Sequence, residues 1–239
     1  MRATSCSAPS MATAWTRRAV HRTNGIPSGV ALITVASSGD NAIVVSPGAN
    51  HRLTADDVRC PRLAEAAVVL LQLEIPIDAV VAAAEHATGL VVCNPAPARH
   101  LPPELLAATD VLVPNESELG HLTGLSSTED LETVVAAART LDVPRIVVTL
   151  GQRGALVVEE GRRMHVAAPT VTPVDTTAAG DSFCAALADE LVAGTDLVDA
   201  ARWAVRVGAA TTLRAGAQTS LPTRAEVATV EHSGWSRFT

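Results

Sequence analysis

Apolar and polar residues follow one another along this chain in short blocks, and the blocks change between two periods. Several blocks are short, continuous apolar runs, the pattern of strands buried on both faces of a sheet: AAVVLLQL, LVVCNP, DVLVPN and RIVVTL. The stretches between them carry apolar residues at helical spacing, as in IPIDAVVAAAEHATG and STEDLETVVAAARTL. Strands that alternate with helices predict a parallel α/β sheet covered on both faces.

Two other stretches have the strand pattern on both sides of a turn and predict antiparallel hairpins. In GVALITVASSGDNAIVVSPGAN the turn cluster is SSGDN, and in ALVVEEGRRMHVAA the turn is expected at GRR. The first long helix is expected to end with Gly89 just past it, and Ser127 or Thr128 should cap a later one. A further helix is predicted over residues 181–194.

Composition narrows the class of protein. Hydrophobic residues make up 48% of the 239 residues and the mean hydropathy is +0.26, enough for a sizeable core. A net charge of −7 argues against a nucleic-acid partner, and no apolar run is long enough to span a bilayer. All 18 basic residues are Arg, which excludes classes of enzyme that need a Lys: Walker P-loop NTPases, protein kinases and pyridoxal enzymes.

The cysteines indicate the redox environment of the cellular compartment in which the protein works. The four cysteines have no metal-ligand spacing: Cys6, Cys60, Cys93 and Cys184. Unpaired cysteines fit a reducing environment, where buried Cys acts as a small apolar residue. The sequence therefore predicts a cytoplasmic protein.

Polar residues stand where the predicted strands end. In parallel α/β sheets, ligands bind at the carboxyl ends of the strands. The chemistry should therefore involve the residues found there, which are Glu74, Asn94, Asn115 and the segments 149–154 and 175–181.

The segment VDTTAAGDSF is the strongest candidate for a reaction centre. Ala178, Ala179 and Gly180 lack bulky side chains and lead into a predicted helix, whose first amides can bind an anion. Asp181 is then placed to accept a proton from a hydroxyl that attacks a phosphoryl group. An ordinary helix-capping role for Asp181 is equally open on the local sequence.

DTTAAGDSF resembles the second signature of the PfkB carbohydrate kinases, and most closely that of their ribokinase branch. Other segments resemble this branch in the same order: SGVALITVASSGDNAIVVSPGAN, NPAPAR, PNESE, TLGQRGA and GAQTSLP. The resemblance covers about residues 19–230. It implies a ribokinase-like three-layer sandwich of the α/β class, with a mostly parallel sheet and helices on both faces.

The resemblance implies a role for each candidate residue. Asp181 is implied to bind the sugar and to be the catalytic base that deprotonates its hydroxyl, and Glu74 is implied to contact ribose. The implied anion hole consists of backbone amides from Ala178, Ala179 and Gly180. The implied nucleotide-binding residues are Asn115, Thr149, Leu150, Gly151, Gln152, Arg153, Gly154 and Gly180.

Two metal-ion sites are implied as well. Asn115 and Glu118 match the family's Asn-x-x-Glu pair, which helps to place Mg²⁺ and phosphate. Because Mg²⁺ keeps several of its waters, one or two carboxylate contacts are sufficient. The implied site for a monovalent cation, usually K⁺, consists of Asp175, Thr177, Thr211, Arg214, Gly216 and Ser220.

Simpler structural roles stay open for several of these residues. Asn115 can cap a short helix, with Glu118 as the acid of its first turn. Residues 149–154 can be a plain hairpin turn, Asp175 a turn former at a strand end, and Glu74 a solvated charge.

The chain departs from the family near its N-terminus. The family's first signature contains a Gly-Gly pair, which this sequence lacks, and residues 1–18 do not resemble the family. We expect residues 1–18 to be a disordered leader, residues 19–230 to form the domain and residues 231–239 to be a tail. The resemblance implies an N-terminally truncated member without its first strands, an early Asp that grips the sugar, and most of the lid. A homodimer is possible, although the lid that would mediate it is mostly missing.

The expected reaction is the phosphorylation of D-ribose to D-ribose 5-phosphate by ATP, with Mg²⁺ and with K⁺ as an activating ion. Because part of the sugar site is missing, the chain is expected to bind ATP or ADP but to have little activity and reduced solubility. The alternatives are a non-catalytic remnant that binds nucleotide, and a PfkB kinase for another sugar or a nucleoside. Neither nucleic acid nor a membrane is an expected partner.

Overall fold

The computed structural model describes Val20 and residues 22–35, 41–128 and 130–229. The predicted leader, residues 1–18, and the predicted tail, residues 231–239, lie outside the described residues. The chain divides into two compact units, of which the first ends at Asn50 and the second begins at His51.

The first unit contains an antiparallel pair of strands, β1 (Val30–Val35) and β2 (Asn41–Ser46). This pairing confirms the predicted N-terminal hairpin, although residues 36–40 of its turn lie outside the described residues. Leu32 and Val44 of this pair are 66% and 68% exposed, so the hairpin presents apolar side chains to solvent.

The second unit is built on a six-stranded sheet with the strands in sequential order from β3 to β8. Its strands are β3 (Val68–Leu71), β4 (Leu90–Cys93), β5 (Val111–Leu112), β6 (Arg145–Thr149), β7 (Ala155–Glu159) and β8 (Arg162–Val166). Strands β3 to β6 pair in parallel, whereas β7 and β8 are antiparallel to their neighbours. The sheet is therefore mixed, with the predicted second hairpin as its antiparallel edge.

Among the described residues, two short helices precede β3, four lie between the parallel strands, and three follow β8. They are α1 (Ala55–Val58), α2 (Pro61–Ala64), α3 (Ile77–His86), α4 (Pro103–Ala107), α5 (Glu116–Thr123), α6 (Leu131–Ala138), α7 (Ala179–Val192), α8 (Leu197–Thr211) and α9 (Arg224–Thr229). Among these helices of the described residues, none combines the length and the apolar character that crossing a bilayer requires.

Alternation along the strands divides the core into two layers, because successive side chains of a strand point to opposite faces of the sheet. Ile146 and Val148 of β6 belong to a buried cluster with residues of α3, α5 and α6. Val147 belongs to a second cluster, in which Phe183 of α7 and Val205 of α8 are buried. Helices therefore cover both faces of the sheet, which confirms the predicted three-layer α/β sandwich.

The predicted cap of α6 is wrong. Its N-cap is Asp130, whose carboxylate accepts hydrogen bonds from the amides of Glu132 and Thr133 at 3.2 and 3.0 Å. The hydroxyl of Thr128 donates instead to Glu116, a residue of the preceding helix. A tertiary contact has therefore removed one of the two predicted capping groups.

One turn, one helix start and one helix end also differ from the predictions. The β7–β8 turn is formed by residues 160–161, since Arg162 already pairs with Glu159 across the hairpin. Helix α7 begins at Ala179, earlier than predicted. Gly89 does lie past α3, but that helix ends at His86, and its C-cap is the next residue along the chain. A Cβ at position 89 would lie 2.2 Å from the carbonyl oxygen of residue 66, so close packing requires glycine there.

Candidate active site

The predicted site residues follow strands whose carboxyl ends lie at one edge of the sheet. The backbone joins neighbouring strand ends: the amide of Asn94 donates to the carbonyl of Leu71 at 2.9 Å. Similarly, the amide of Thr149 donates to the carbonyl of Pro114 at 2.9 Å, and Thr149 forms an isolated parallel bridge with Asn115. Parallel pairing of β3 to β6 therefore brings the segments after these strands to the same side of the molecule.

Asn115 and Glu118 form a reciprocal cap at the start of α5. The side-chain oxygen of Asn115 accepts the amide of Glu118, and the Glu118 carboxylate accepts the amide of Asn115, both at 2.8 Å. The side-chain amide of Asn115 also donates to Glu118 at 2.8 Å. The structural role considered for this pair is therefore correct, and it holds both polar groups at the strand edge.

The Glu118 carboxylate is buried, with 7% of the residue exposed. Burial raises its pKa, and this effect exceeds the opposing effect of hydrogen bonds from the Asn115 amide and the Asn94 side chain. Asn94 Nδ2 lies 3.4 Å from Glu118 and 2.8 Å from the carbonyl oxygen of Val113. Asn94 therefore links the ends of β4 and β5 to this carboxylate.

Two buried thiols lie near these carboxylates. Burial raises the pKa of Cys93 to about 12, with a further contribution from the charge of Glu118. Burial likewise raises the pKa of Cys184 to about 12, and Asp181 contributes through its charge. Both groups are therefore protonated at any pH at which an ordinary thiol begins to ionise.

We expect Cys93 and Cys184 to resist alkylation in the folded protein at pH 8–9, whereas the half-exposed Cys60 should be modified. The reason is that the thiolate is the reactive species and neither buried thiol forms it in this range. Peptide mapping after a short exposure to iodoacetamide measures each site separately. Labelling of either buried thiol as fast as Cys60, without added denaturant, would contradict the arrangement described above.

The segment after β6 is a tight connection within a hairpin. Thr149 pairs with Ala155 of β7, and a single turn of 3₁₀ helix spans Gly151–Arg153. The amide of Leu150 donates to the carbonyl of Gly154 at 2.8 Å, which closes the loop. The hairpin-turn geometry is thus present, and it leaves Gly151 exposed at the strand edge.

Gly154 has a conformation that only glycine adopts easily, with φ of 95° and ψ of −125°. A Cβ at this position would lie 2.0 Å from the carbonyl oxygen of Val166. The end of the loop therefore passes directly over the backbone that follows β8.

Asp181 is the third residue of α7, and its side chain is exposed. The N-cap is Ala178, so the ordinary capping role considered for Asp181 is wrong. Ala178 has a left-handed backbone with φ of 62°, which is strained for a residue other than glycine. This strained residue turns the chain into the helix immediately before Asp181.

The amides of this helix start differ in their partners. Ala179 donates to the carbonyl of Thr176 at 3.2 Å. In the part of the chain that the structure describes, the amides of Ala178, Gly180 and Asp181 have no acceptor. A Cβ at position 180 would meet nothing within 4 Å, so the space beside these amides is open.

Asp175 joins the loop before α7 to the loop after α8. One carboxylate oxygen accepts the amide of Thr177 and the other accepts the amide of Gly216, both at 2.9 Å. These bonds lower the pKa of Asp175, with the Gly216 bond as the largest cause. The Arg214 guanidinium lies 3.4 Å from the carbonyl oxygen of Ser220 and closes the second loop.

Thr211 and Glu74 are the predicted site residues that lie apart from these networks. The Thr211 hydroxyl is buried between α7 and α8, 2.8 Å from the hydroxyl of Ser182. Glu74 lies in the segment after β3 with its side chain exposed. Its backbone amide donates to the side chain of Gln72.

Sequence reasoning did not identify Glu116 or His165 beside the loop of residues 149–154. The Arg153 guanidinium contacts Glu116 and the carbonyl oxygen of Thr128, and His165 contacts the carbonyl oxygen of Arg153. These partners are distant in sequence and have no shared motif, so the sequence carries no signal that joins them.

No cluster of three or more His, Cys, Asp or Glu side chains that could hold a metal ion occurs among the described residues. Two surface clefts, of about 480 and 610 Å³, lie near the amino ends of the strands, and none of the predicted site residues lines them. The polar groups of the candidate site are instead arranged along the opposite, carboxyl edge of the sheet.

Comparison with known proteins identifies the family. The model for pfkB family carbohydrate kinases matches residues 17–224. The ribokinase of Staphylococcus aureus is 36% identical over 208 residues, which cover 84% of this chain and 68% of the relative. A deoxyribokinase of Salmonella typhi is also 36% identical, over 82% of this chain and 66% of the relative. The chain thus spans about two thirds of the length of these relatives.

A solved structure of Arabidopsis thaliana ribokinase complexed with ribose and ATP is 31% identical to this chain. The superposition has a TM-score of 0.77 and covers 88% of this chain and 71% of the Arabidopsis chain. The fold is therefore ribokinase-like, in agreement with the three layers described above. The chain belongs to the pfkB family of carbohydrate kinases, which are sugar phosphotransferases.

Proposed function

We propose that this chain phosphorylates D-ribose at its primary hydroxyl, with ATP as the donor and D-ribose 5-phosphate and ADP as products. The observation that carries the proposal is the start of α7, where the exposed Asp181 carboxylate adjoins backbone amides with open space beside them. A helix start of this kind attracts anions, because its unpaired amides and the N-terminal end of the helix dipole carry partial positive charge.

In the proposed reaction, Asp181 accepts the proton of the sugar hydroxyl as that oxygen bonds to the γ-phosphorus of ATP. The bond between this phosphorus and the bridging oxygen breaks, and ADP leaves with the electron pair. The amides of Ala178 and Gly180 stabilise the charge on the transferring group. The loop 149–154 and Asn115 hold the nucleotide, and Glu74 contacts the sugar.

The residues at the strand edge fit a magnesium ion that is bound mainly through water and nucleotide phosphates. Both oxygens of Glu118 already accept hydrogen bonds, and a carboxylate oxygen keeps a further lone pair. Asn115 and Glu118 would hold such an ion together with its waters. When bound, Mg²⁺ neutralises charge on the phosphates during transfer.

The Asp175 loops fit a monovalent cation, because the Asp175 carboxylate and the Ser220 carbonyl oxygen are hard oxygen ligands. We propose that this site is formed by Asp175, Thr177, Arg214, Gly216 and Ser220. The buried Thr211, the last residue of α8, would support the loop that follows it. An ion held there would stiffen the segment before α7 without touching the sugar.

Activity is therefore expected to rise several-fold when K⁺ replaces a large organic cation at constant ionic strength. Asp175→Asn should reduce this activation, since Asn loses the charge and one of the two acceptor oxygens that bind Thr177 and Gly216. Initial rates at 1–100 mM K⁺ measure the effect. Rates that do not respond to K⁺ across this range would remove the cation site from the proposal.

The identity of the sugar is the finer part of the proposal. Ribose is favoured by the ribokinase relatives, whereas a deoxyribokinase relative of similar identity makes 2-deoxyribose the nearest competitor. A nucleotide-binding protein without turnover is the second candidate function. It is supported by the proposed nucleotide residues, Asn115 and 149–154, which meet at the strand edge, whereas the sequence lacks the Gly-Gly pair of the family's first signature. For a kinase of this type we propose a cytoplasmic location.

The test is to purify the full chain and to measure ADP release from ATP with D-ribose, 2-deoxyribose, fructose or adenosine, with calorimetric binding of ATP in parallel. Turnover is expected to be low, because the sequence lacks the Gly-Gly pair of the family's first signature. Whatever turnover occurs should have its highest kcat/KM with D-ribose and give a product identified as ribose 5-phosphate by mass spectrometry. Binding of ATP without sugar-dependent turnover would replace the proposal by the second candidate. Preference for another acceptor would change only the substrate named in the proposal and not the proposed reaction.

A further inference from the structure

The nucleotide loop is held from outside by a three-residue clamp, defined here as Glu116, Thr128 and Arg153. One carboxylate oxygen of Glu116 contacts both the Arg153 guanidinium and the Thr128 hydroxyl. The same guanidinium nitrogen donates to the carbonyl oxygen of Thr128 at 2.8 Å. The clamp thus joins the first turn of α5, the segment before α6 and the loop after β6.

The clamp acts where two parts of the candidate site already meet. Asn115, which precedes Glu116, forms the backbone bridge with Thr149 at the beginning of the nucleotide loop. The clamp contacts the other end of that loop through Arg153. Together, the bridge and the clamp fix both ends of the loop against α5.

Arg153 is also held through its backbone. His165 of β8 lies 2.7 Å from the carbonyl oxygen of Arg153. Because a carbonyl oxygen only accepts, the Nε2 atom of His165 must carry the proton. Arg153 is therefore bound to α5 by its side chain and to β8 by its carbonyl oxygen, and these contacts leave its backbone little freedom.

The clamp is better shielded from water than the ion pair of Arg162 and Asp196, which serves below as its control. The side chains of Arg153 and Glu116 are 38% and 33% exposed, against 44% and 49% for Arg162 and Asp196, which lie 3.0 Å apart. Exposed pairs contribute little because solvent screens them, and the contribution increases as the groups are buried. Because Thr128 and Arg153 both donate to the same Glu116 oxygen, the three side chains restrain one another.

We propose that Glu116 is a positioning residue of the nucleotide site, which acts on the nucleotide through the backbone of residues 150–154. Its carboxylate fixes Arg153, and Arg153 fixes the loop that presents Gly151 to the ligand. In this proposal, the Glu116 carboxylate and the Arg153 guanidinium act on the loop and not directly on the nucleotide. The effect on the nucleotide rests on the proposed function, whereas the effect on the loop does not.

The test compares Glu116→Gln with Asp196→Asn, because each removes one charge from an ion pair and keeps a similar shape. Asp196 also caps α8, and Asn preserves that role. Hydrogen exchange of peptides that contain residues 149–155 reports the loop directly, through the three backbone bonds that close it. Steady-state kinetics then separate the KM for ATP from kcat and from the KM for sugar.

Glu116→Gln is expected to accelerate loop exchange about tenfold and to raise the KM for ATP about 3- to 10-fold, as for loss of one charge-assisted bond. kcat and the KM for sugar should stay within about twofold of the wild type. Arg153→Met in the Glu116→Gln background should add little, since residues of one network are not additive. Asp196→Asn should leave loop exchange and all three constants unchanged.

Loop exchange in Glu116→Gln equal to that in Asp196→Asn would overturn the inference, whatever the kinetics. Faster exchange with an unchanged KM for ATP would also overturn it, because the loop geometry would then not matter for the nucleotide. If the wild-type chain binds no nucleotide, the proposed function fails. The exchange data would then decide by themselves whether Glu116 positions the loop.

Discussion

Replacing Asp181 by Asn is expected to lower kcat by about 10²- to 10⁴-fold, the usual effect of removing a positioned general base. The amide of Asn cannot take the proton of the sugar hydroxyl. Asp181 is exposed and does not cap α7, so the fold should tolerate the change. The affinity for ATP should remain within about twofold, because the nucleotide is held by backbone and by other residues.

Asp189→Asn is the matched control, since Asp189 lies on the same helix, is exposed, and pairs with Arg224 at 3.1 Å. This control should retain wild-type kcat and lose little stability. Initial rates at saturating ATP and sugar, with calorimetry of ADP binding, measure both variants. Normal turnover by Asp181→Asn would show that the proton goes elsewhere.

Replacing Gly154 by Ala is expected to produce the largest loss of stability from a single methyl group in the described part of the chain. The new Cβ would lie 2.0 Å from the carbonyl oxygen of Val166 and 2.7 Å from the amide nitrogen of Ala168. Both are backbone atoms, and Val166 is paired with Ala155 in the sheet, so neither can move without breaking the hairpin. We expect the free energy of unfolding to fall by at least ~3 kcal/mol.

Gly161→Ala provides the comparison, because Gly161 also has a positive φ, of 67°, but its Cβ would meet nothing within 4 Å. That variant should lose only about 1 kcal/mol, the backbone cost of a left-handed alanine. Urea unfolding gives both values, provided that the m-value stays unchanged. Equal losses in the two variants would show that the close contact at Gly154 is relieved at no cost.

The three layers of the fold, and the edge of the sheet at which the candidate site lies, were predictable from the sequence. They depend on the period of the apolar residues and on the direction of the strands. Short apolar runs predict four parallel strands, and their parallel direction brings Asn115 and Thr149 to one edge of the sheet. The capping pair of Asn115 and Glu118 was also visible, since its geometry is local. These features require no contact between distant parts of the chain.

Long-range contacts account for what the sequence did not show. Ser127 and Thr128 are both good caps, yet Asp130 caps α6 while Thr128 is bound to Glu116. The pair of Glu116 and Arg153 joins segments that a strand and a helix separate, and no local pattern marks it. The strained Ala178 is similar, because alanine gives no sign of a left-handed backbone.

The sheet changes from parallel to antiparallel pairing between β6 and β7, and this change affects the order of folding. Strands β6, β7 and β8 pair through short connections, whereas β3 to β6 pair only across intervening helices. Closing a short loop costs less entropy than closing a long one, and local pairings generally form faster. The three-stranded meander should therefore assemble early during refolding, ahead of the parallel half. The nucleotide loop lies inside this meander, so it should reach its native geometry before the rest of the site exists.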